Sequence, residues 1–316
     1  MESSDRHKEP RLLYKTETTM VEIKTVGMVG IGQLGLPVAG NLLAAGFRVV
    51  GFRRTNQQAF IELGGEALNS PAEVVRQADV ILLCLPNEEA SLQVLEGPEG
   101  LLSALEPGKV FVETGTYRKT FKLQQAARLT ERGAKVLEAE VSGSPPMVKA
   151  HKAAIYVGGD AQLLAHCRPV LEAISPSVFH LGEFGSAVSM KLIANYLLAI
   201  HTLAAAEAMN MGARAGFDPK LVAEVIQKGA GASAMFGVRA PLMAERAFSP
   251  APGPFTTLEK YLELGRAMAD ELGCATPLFS ATEPYYRRAL ESDMRDEDIA
   301  ALIKLIEADS TPEDGA

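Results

Sequence analysis

A glycine-rich segment close to the amino terminus reads Gly30-Ile31-Gly32-Gln33-Leu34-Gly35. It fits the pattern G-x-G-x-x-G, follows an apolar strand-like run and precedes a helix-like stretch, which is the context that the pattern requires. There the first glycine allows a tight turn, the second admits a pyrophosphate, and the third lets the helix lie close to the sheet. The helix N-terminus then offers free N–H groups and its positive dipole end to phosphates. The segment therefore predicts a dinucleotide-binding turn, although glycine-rich turns also occur in many loops without a ligand.

The sequence after this turn alternates short β-branched apolar runs with amphipathic stretches of helix length. The predicted strands are Thr25–Val29, Phe47–Phe52, Val80–Leu85, Val110–Glu113, Lys135–Ala139, Ile155–Val157 and Val178–His180. The predicted helices between them are Ala39–Ala45, Pro71–Ala78, Lys119–Arg132 and Ala161–Ala173. Repeated strand–helix–strand order predicts a mostly parallel, doubly wound sheet that is covered on both faces.

The pattern changes after Gly185, where no strand-like alternation remains. Ser186–Ala215 contains no proline and predicts one helix of about 30 residues, some 45 Å long. Further helices are predicted at Pro219–Lys228, Ala240–Arg246, Leu258–Leu272, Pro277–Glu291 and Asp296–Glu307. The expected fold is α/β: an N-terminal Rossmann-type domain (21–181), then a long connecting helix that opens an all-α substrate and oligomerisation domain (182–309). A disordered tail (1–20) and a short acidic tail (310–316) flank the two domains.

Composition excludes several classes of function. The chain has 316 residues, enough for two domains, and its formal net charge is −8. An acidic chain with 6% aromatic residues and no Trp is poorly suited to a nucleic-acid partner. No uninterrupted apolar run reaches the roughly 20 residues of a membrane span. The first 19 residues do not read as a signal peptide, and Met20 is an alternative start.

Cysteine and histidine usage argues against a disulfide framework and a metal site. Cys84, Cys167 and Cys274 are far apart and odd in number, which is typical of a reducing cytoplasm. The five histidines are scattered, without a His-x-x-x-His pair that could begin a zinc site. We expect no metal.

The end of the second predicted strand bears on the choice of dinucleotide. NAD enzymes usually place Asp or Glu there to bind the ribose 2′-hydroxyl. This chain has Arg53-Arg54-Thr55 instead. Two guanidinium groups and a hydroxyl suit a 2′-phosphate, so we predict NADP(H) rather than NAD(H). The alternative is a pair of solvated surface arginines.

Lys191 and Asn195 are four residues apart in the long predicted helix, so their side chains share one face. A lysine that is partly desolvated in a cleft can serve as an acid or a base. Spacing alone does not separate that role from an ordinary helix-surface lysine.

Taken together, these segments resemble the β-hydroxyacid dehydrogenase family, which includes 3-hydroxyisobutyrate dehydrogenases and glyoxylate or succinic semialdehyde reductases. The resemblance runs from about Ile23 to Glu307. Its segments are Gly27–Pro37 with Asn41, Phe52–Thr55, Leu85-Pro86-Asn87, Thr116, Val141-Ser142-Gly143, Lys191 with Asn195, and Lys260.

The resemblance implies a role for each matching residue. Leu85, Pro86, Asn87 and Lys260 are expected beside the cofactor, and Thr116 is expected beside the nicotinamide ribose. Ser142, Gly143 and Ser144 would hold the substrate carboxylate, Asn195 would orient the substrate or the lysine, and Lys191 would be the general acid and base. A small anionic substrate and a homodimer or homotetramer are also implied.

Several residues depart from the family pattern. Ser144 stands where the family has a glycine, and Glu140 adds a carboxylate near the expected site. Glu113 and Gly115 replace an Asp and a Ser, Ala187 replaces a glycine, and Tyr261 replaces the Asp that follows the late lysine. Of these changes, Ser144 and Glu140 bear on substrate choice.

The resemblance and the chemistry together predict a cytoplasmic NADP(H)-dependent oxidoreductase that acts on the CH–OH group of a small 3-hydroxy acid, or on the corresponding aldehyde or keto acid. An imine-reductase-like enzyme, a 6-phosphogluconate dehydrogenase-like enzyme and a non-catalytic NADP-binding protein of the same fold are the alternatives. The lysine at position 191 argues against the first and third, and Tyr196-Leu197-Leu198 after it argues against the second.

Overall fold

The computed structural model describes residues 22–310, so the predicted tail 1–20, the alternative start at Met20 and residues 311–316 lie outside the described part. Its strands are β1 (Thr25–Val29), β2 (Arg48–Phe52), β3 (Glu66–Ala67), β4 (Val80–Leu83), β5 (Val110–Glu113), β6 (Lys135–Ser142), β7 (Ala154–Gly158) and β8 (Ser177–His180). They form one sheet in the order β3-β2-β1-β4-β5-β6-β7-β8. Only β6 and β7 pair antiparallel among these strands.

Seven helices connect the strands: α1 (Gly35–Ala44), α2 (Gln58–Glu62), α3 (Pro71–Gln77), α4 (Glu88–Glu96), α5 (Lys119–Thr130), α6 (Pro145–Lys149) and α7 (Ala161–Ile174). The sheet order from β3 to β6 is that of the doubly wound dinucleotide-binding fold. The predicted α/β fold class is therefore confirmed.

The strands have unbroken apolar sequences because both faces of the sheet are covered. In β4, Val80 and Leu82 lie in one hydrophobic core, whereas Ile81 and Leu83 lie in the core on the opposite face. Successive side chains of a strand point to opposite faces, so a strand buried on both sides reads as an unbroken apolar run.

The described chain continues with six α-helices, and two short 3-10 helices (Asp293–Asp296 and Ile299–Ala301) precede the last of them. The α-helices are α8 (Ser186–Arg214), α9 (Pro219–Gln227), α10 (Ala234–Glu245), α11 (Phe255–Glu271), α12 (Pro277–Leu290) and α13 (Leu302–Asp309). The chain divides into two compact units inside α8, between Val188 and Ser189. The sequence analysis placed the domain boundary between residues 181 and 182. In the second unit, a hydrophobic core forms around buried residues such as Phe255, Phe279 and Tyr286.

Helix α8 corrects one expectation, because it is long and apolar enough to cross a membrane by length and composition. Interruptions such as Lys191 and Glu207 made the run look too short in the sequence. Ala199, Ala206 and Met209 of this helix are buried in the core of the second unit. The most apolar stretch of α8 is 39% buried, and Leu197 and Met211 of this helix are exposed.

Several predicted helices have different limits in the structure, and in two of them a capping side chain is the reason. Ser233 accepts a hydrogen bond from the N–H of Phe236, which starts α10 six residues before the predicted Ala240. The predicted helix Asp296–Glu307 is broken at Asp298, whose carboxylate accepts a bond from the N–H of Ala300. Such caps satisfy N–H groups that have no partner within the helix.

Candidate functional site

The glycine-rich turn joins β1 to α1, and its three glycines meet different surroundings. Gly30 has a φ of +101°, and its N–H donates to the carbonyl of Phe52 at the end of β2, 3.1 Å away. A Cβ on Gly35 would overlap the carbonyl oxygen of Gly30, whereas a Cβ on Gly32 would meet nothing within 4 Å. The turn is thus tightly folded around Gly30 and Gly35 and open at Gly32.

Helix α1 begins at this turn without a side-chain cap, since Leu34 occupies the capping position. Helices α3, α4 and α7 in the same unit each begin with a capping Ser, Asn or Asp. Gln33 is exposed beside the open Gly32. The first N–H groups of α1 and the space over Gly32 together form a cradle that fits a pyrophosphate.

The three residues that follow β2, Arg53, Arg54 and Thr55, are all exposed. Arg54 donates from Nη1 to Oε1 of Gln93 on α4 at 2.9 Å. Gln93 in turn donates to Glu89 at 3.1 Å. The sequence did not single out Gln93, because its link to Arg54 spans two elements and leaves no local pattern.

The predicted cofactor loop Leu85-Pro86-Asn87 lies after β4 and is fixed at both ends. The hydroxyl of Tyr117 donates to the carbonyl of Leu85 at 2.9 Å. The side-chain oxygen of Asn87 accepts from the N–H of Ala90 at 2.8 Å and so caps α4. A Cβ on Gly115 would overlap the hydroxyl of Tyr117, which explains why a glycine stands there.

Thr116 follows β5 and is buried next to an ionic cluster that the sequence did not predict. Its hydroxyl donates to Oε2 of Glu140 at 2.6 Å. Nζ of Lys122 on α5 lies 2.6 Å from Oε1 of Glu140 and 2.9 Å from Oε1 of Glu138. Lys122 and the two glutamates of β6 are buried.

The charges of this cluster perturb one another. Burial raises the pKa of Glu113 to about 8, against the opposing effect of the Lys122 ammonium. Burial also raises the pKa of Glu140, again opposed by Lys122. Burial alone would lower the pKa of Lys122, but the carboxylates of Glu138 and Glu140 outweigh it and hold that pKa above its usual value. Lys122 is therefore a fixed cation inside the domain.

The expected substrate loop lies at the end of β6. Ser142 is the last residue of that strand, and Ser144 precedes the short helix α6. Ser142, Gly143 and Ser144 are all half-buried. A Cβ on Gly143 would lie 2.9 Å from the Cβ of Ala153, so the close approach of the two chain segments requires a glycine.

The remaining predicted residues, Lys191, Asn195 and Lys260, belong to the second unit. Lys191 is 7% exposed and Asn195 is 9% exposed, so the lysine is not an ordinary surface residue. Among the described residues, no group accepts a hydrogen bond from the buried Nδ2 of Asn195. Nζ of Lys191 lies 5.8 Å from the ring centre of Tyr261, and Nζ of Lys260 lies 5.2 Å from the same ring.

Neither cysteines nor a metal-ligand group add to this arrangement. The thiols of Cys84, Cys167 and Cys274 are unpaired. Between residues 22 and 310, no three His, Cys, Asp or Glu side chains are grouped as ligands of a metal ion.

Comparison with known proteins covers both units. A family model described as the NAD binding domain of 6-phosphogluconate dehydrogenase matches residues 25–182. A second one, described as NAD-binding of NADP-dependent 3-hydroxyisobutyrate dehydrogenase, matches residues 185–306.

Individual relatives match over most of their length. L-threonate dehydrogenase from Cupriavidus necator is 33% identical over 288 residues, which cover 89% of this chain and 96% of the relative. Glyoxylate/succinic semialdehyde reductase 2 from Arabidopsis thaliana is 29% identical over 93% of this chain and 83% of its own. The crystal structure of 3-hydroxyisobutyrate dehydrogenase from Salmonella typhimurium has a TM-score of 0.80 at 28% identity, covering 89% and 99% of the two chains.

These matches agree with the resemblance read from the motifs, and the sheet order, the glycine-rich turn and the helical second unit agree with both. The chain belongs to the β-hydroxyacid dehydrogenase family of NAD(P)-dependent oxidoreductases.

Proposed function

We propose that the protein is an NADP(H)-dependent dehydrogenase or reductase of a small 3-hydroxy acid and its aldehyde or keto acid. The observation that carries this proposal is the pair Lys191 and Asn195, which are buried on one face of α8, with no acceptor for Nδ2 of Asn195 among the residues that the structure describes. A buried donor without a partner is costly unless a ligand satisfies it. When bound, the nicotinamide supplies or accepts the hydride.

The preference for NADP(H) rests on the residues after β2. Arg53, Arg54 and Thr55 are exposed there, and no carboxylate stands in this segment to bind a ribose 2′-hydroxyl or to repel a phosphate. Gln93 holds one guanidinium nitrogen of Arg54 and leaves its other N–H groups available for a 2′-phosphate.

Lys191 is proposed to move the proton. In reduction its ammonium donates a proton to the substrate carbonyl oxygen, and in oxidation its amine takes the proton of the hydroxyl. Asn195 donates its free amide hydrogens to the substrate and keeps it oriented. General acid–base catalysis of this kind contributes about 10²–10⁴-fold to a rate.

The substrate carboxylate is assigned to the segment after β6. Ser142 and Ser144 supply hydroxyl donors, and the backbone N–H groups around Gly143 supply more. Ser144 adds a hydroxyl that a glycine lacks, so a substrate with a further polar group beside its carboxylate fits this segment.

Apolar residues exposed on the second unit support a homo-oligomer, as a dimer or a tetramer. Leu197 on α8 and Leu221 and Val225 on α9 are 46%, 48% and 59% exposed. Leu221 and Val225 are four residues apart on α9 and so share one face, and exposed apolar faces commonly mark a protein interface. Light scattering would test this, and a mass of one chain at micromolar concentration would contradict it.

The proposed activity is tested by following nicotinamide absorbance with NADPH, NADH and their oxidised forms. The panel contains small 3-hydroxy acids, glyoxylate, succinic semialdehyde and cyclic imines. Turnover of a hydroxy acid or aldehyde acid with an NADP(H) preference is expected. Turnover of imines alone would favour the imine-reductase alternative, and tight NADPH binding without any turnover would favour a non-catalytic protein.

A further inference from the structure

The ammonium of the buried lysine of α5 is surrounded by three acceptors, two of which it hydrogen-bonds. The Nζ atom of Lys122 lies 2.6 Å from Glu140, 2.9 Å from Glu138 and 2.8 Å from the carbonyl oxygen of Gly115. An ammonium group has three N–H donors, and three acceptors surround it. Burying a charge is costly unless it is paired in this way, so the position of each carboxylate is tightly defined.

Glu138 and Glu140 accept different further hydrogen bonds. Glu138 accepts the backbone N–H groups of Gly185, Ala187 and Val188, and it thereby fixes the start of α8. Glu140 instead accepts the hydroxyl of Thr116 at 2.6 Å. That distance is typical of a charge-assisted O–H···O⁻ bond.

The bond to Glu140 determines what Thr116 can offer to a ligand. A threonine hydroxyl has one hydrogen and two lone pairs. Its hydrogen points to Glu140, so Oγ1 of Thr116 can only accept a further hydrogen bond. A carboxylate partner also polarises the hydroxyl and makes its oxygen a stronger acceptor.

The sheet places Thr116 on the nicotinamide side of the proposed cofactor site. Thr116 follows β5, which is separated from β1 by β4, while β2 with its arginine segment lies on the other side of β1. A dinucleotide in this fold spans the carboxyl ends of the strands on both sides of the first strand. The adenosine end belongs near β2, and the nicotinamide end belongs near β4 and β5.

We propose that Glu140, held by Lys122, is a positioning residue that fixes Thr116 as a hydrogen-bond acceptor for a hydroxyl of the nicotinamide ribose. This inference rests on the proposed function. It concerns this chain's own residues, because Glu140 is one of its departures from the family pattern. Glu140 also shares a strand face with Ser142, since residues two apart in a strand point the same way.

The variant Glu140→Gln reverses the polarity of this contact. Lys122 still requires an acceptor, so the Gln oxygen faces Lys122 and its amide group faces Thr116. The amide then donates into Oγ1 of Thr116 and weakens it as an acceptor. We expect NADPH affinity to fall by about 3- to 10-fold, the size of one ordinary hydrogen bond.

The experiment compares two ligands by titration against the full-length protein. NADPH reaches both halves of the site, whereas adenosine 2′,5′-bisphosphate has no nicotinamide ribose. Glu140→Gln and Thr116→Val should each weaken NADPH binding and leave the bisphosphate unchanged. The double variant should lose no more NADPH affinity than whichever single variant binds NADPH more weakly, because both changes remove the same interaction. Thr116→Ser keeps the hydroxyl and should restore NADPH affinity.

Glu140→Asp provides a second variant that keeps the charge opposite Lys122, should the Gln variant not fold. Its shorter side chain draws the carboxylate away from Thr116, and the same selective loss of NADPH affinity is expected. Equal weakening of both ligands, or loss in Thr116→Val with none in the two Glu140 variants, would overturn the inference. A wild-type protein that binds neither NADPH nor NADH would instead overturn the proposed function.

Discussion

The ammonium of Lys191 lies 5.8 Å from the ring centre of Tyr261, so the candidate acid–base group is buried beside an aromatic ring. A second cation, Lys260, lies 5.2 Å from the same ring. A cation–π contact of a partly buried lysine contributes about 0.5–2 kcal/mol. Tyr261, which replaces the aspartate of the family pattern, therefore contacts two of the predicted site lysines, Lys191 and Lys260.

Tyr261→Leu should lower kcat by about 2- to 30-fold, because the ring that orients both ammonium groups is removed. Tyr261→Phe keeps the ring and serves as the matched control, with a kcat within about twofold of wild type. Steady-state rates and NADPH affinity would be measured for both variants. Equal losses in the two variants would show that the hydroxyl, not the ring, is responsible.

Lys191→Ala should bind NADPH as wild type does and lose turnover by about 10²–10⁴-fold, since it removes only the proton donor. Lys220→Ala is a suitable control because it removes an exposed lysine of α9 in the same unit. Single-turnover rates would separate chemistry from product release. A variant at position 191 with undiminished turnover would refute the assigned role.

The glycine-rich turn and β1 show how much of the fold local patterns can predict. The bounds of β1 and β5 agree with the predicted ones residue for residue, because a strand buried on both faces gives a sharp apolar run. Helix α4 was missed, since its sequence EEASLQVLE has few apolar positions and its start depends on the Asn87 cap. Strand β3, with two residues, is too short to leave a pattern.

The candidate site was predictable only where a motif is continuous in sequence. Gly30–Gly35 could be recognised as a motif from its spacing, whereas Lys191 and Asn195 were singled out only through the resemblance to the family. The contact of Lys122 with Glu140 joins residues 18 apart on different elements. A lone lysine in an amphipathic helix is typical of a solvated residue. The burial of Lys122 is visible only in the structure, where α5 packs against β6.

The arginine segment after β2 makes a selective prediction about the cofactor. Arg53→Ala/Arg54→Ala should weaken NADPH binding by about 10- to 100-fold, the range of charge-assisted bonds to a phosphate, and leave NADH binding unchanged. Arg48→Ala is the control, because Arg48 lies at the opposite end of β2 and pairs with Glu66. Equal effects on both cofactors would contradict a 2′-phosphate role.

The glycines of the turn should respond differently to the same substitution. Gly32→Ala places its methyl in open space and should leave the melting temperature unchanged, while NADPH affinity falls because the methyl occupies the approach to the backbone. Gly35→Ala forces an overlap with the carbonyl of Gly30 and should cost about 1–3 kcal/mol of stability. Unchanged NADPH affinity in Gly32→Ala would place the pyrophosphate elsewhere.

Glu113 predicts how stability depends on pH. Its pKa is about 8 in the folded chain and 4.5 ordinarily, because burial disfavours the charged form. The folded chain therefore keeps a proton that the unfolded chain releases, and the free energy of unfolding falls as pH rises from about 4.5 to about 8. Below this window both states hold the proton and the stabilisation is complete.

Glu113→Gln, whose carboxamide has the shape of the neutral acid, should show a shallower decline across this window. The difference in slope is up to about 1.4 kcal/mol per pH unit, the value for one proton. Urea unfolding at pH 5, 6.5 and 8 measures it, with the exposed Glu99→Gln as control. Since only a proton retained by the folded state produces such a slope, parallel profiles for wild type and Glu113→Gln would mean that Glu113 is ionised in the folded protein at neutral pH.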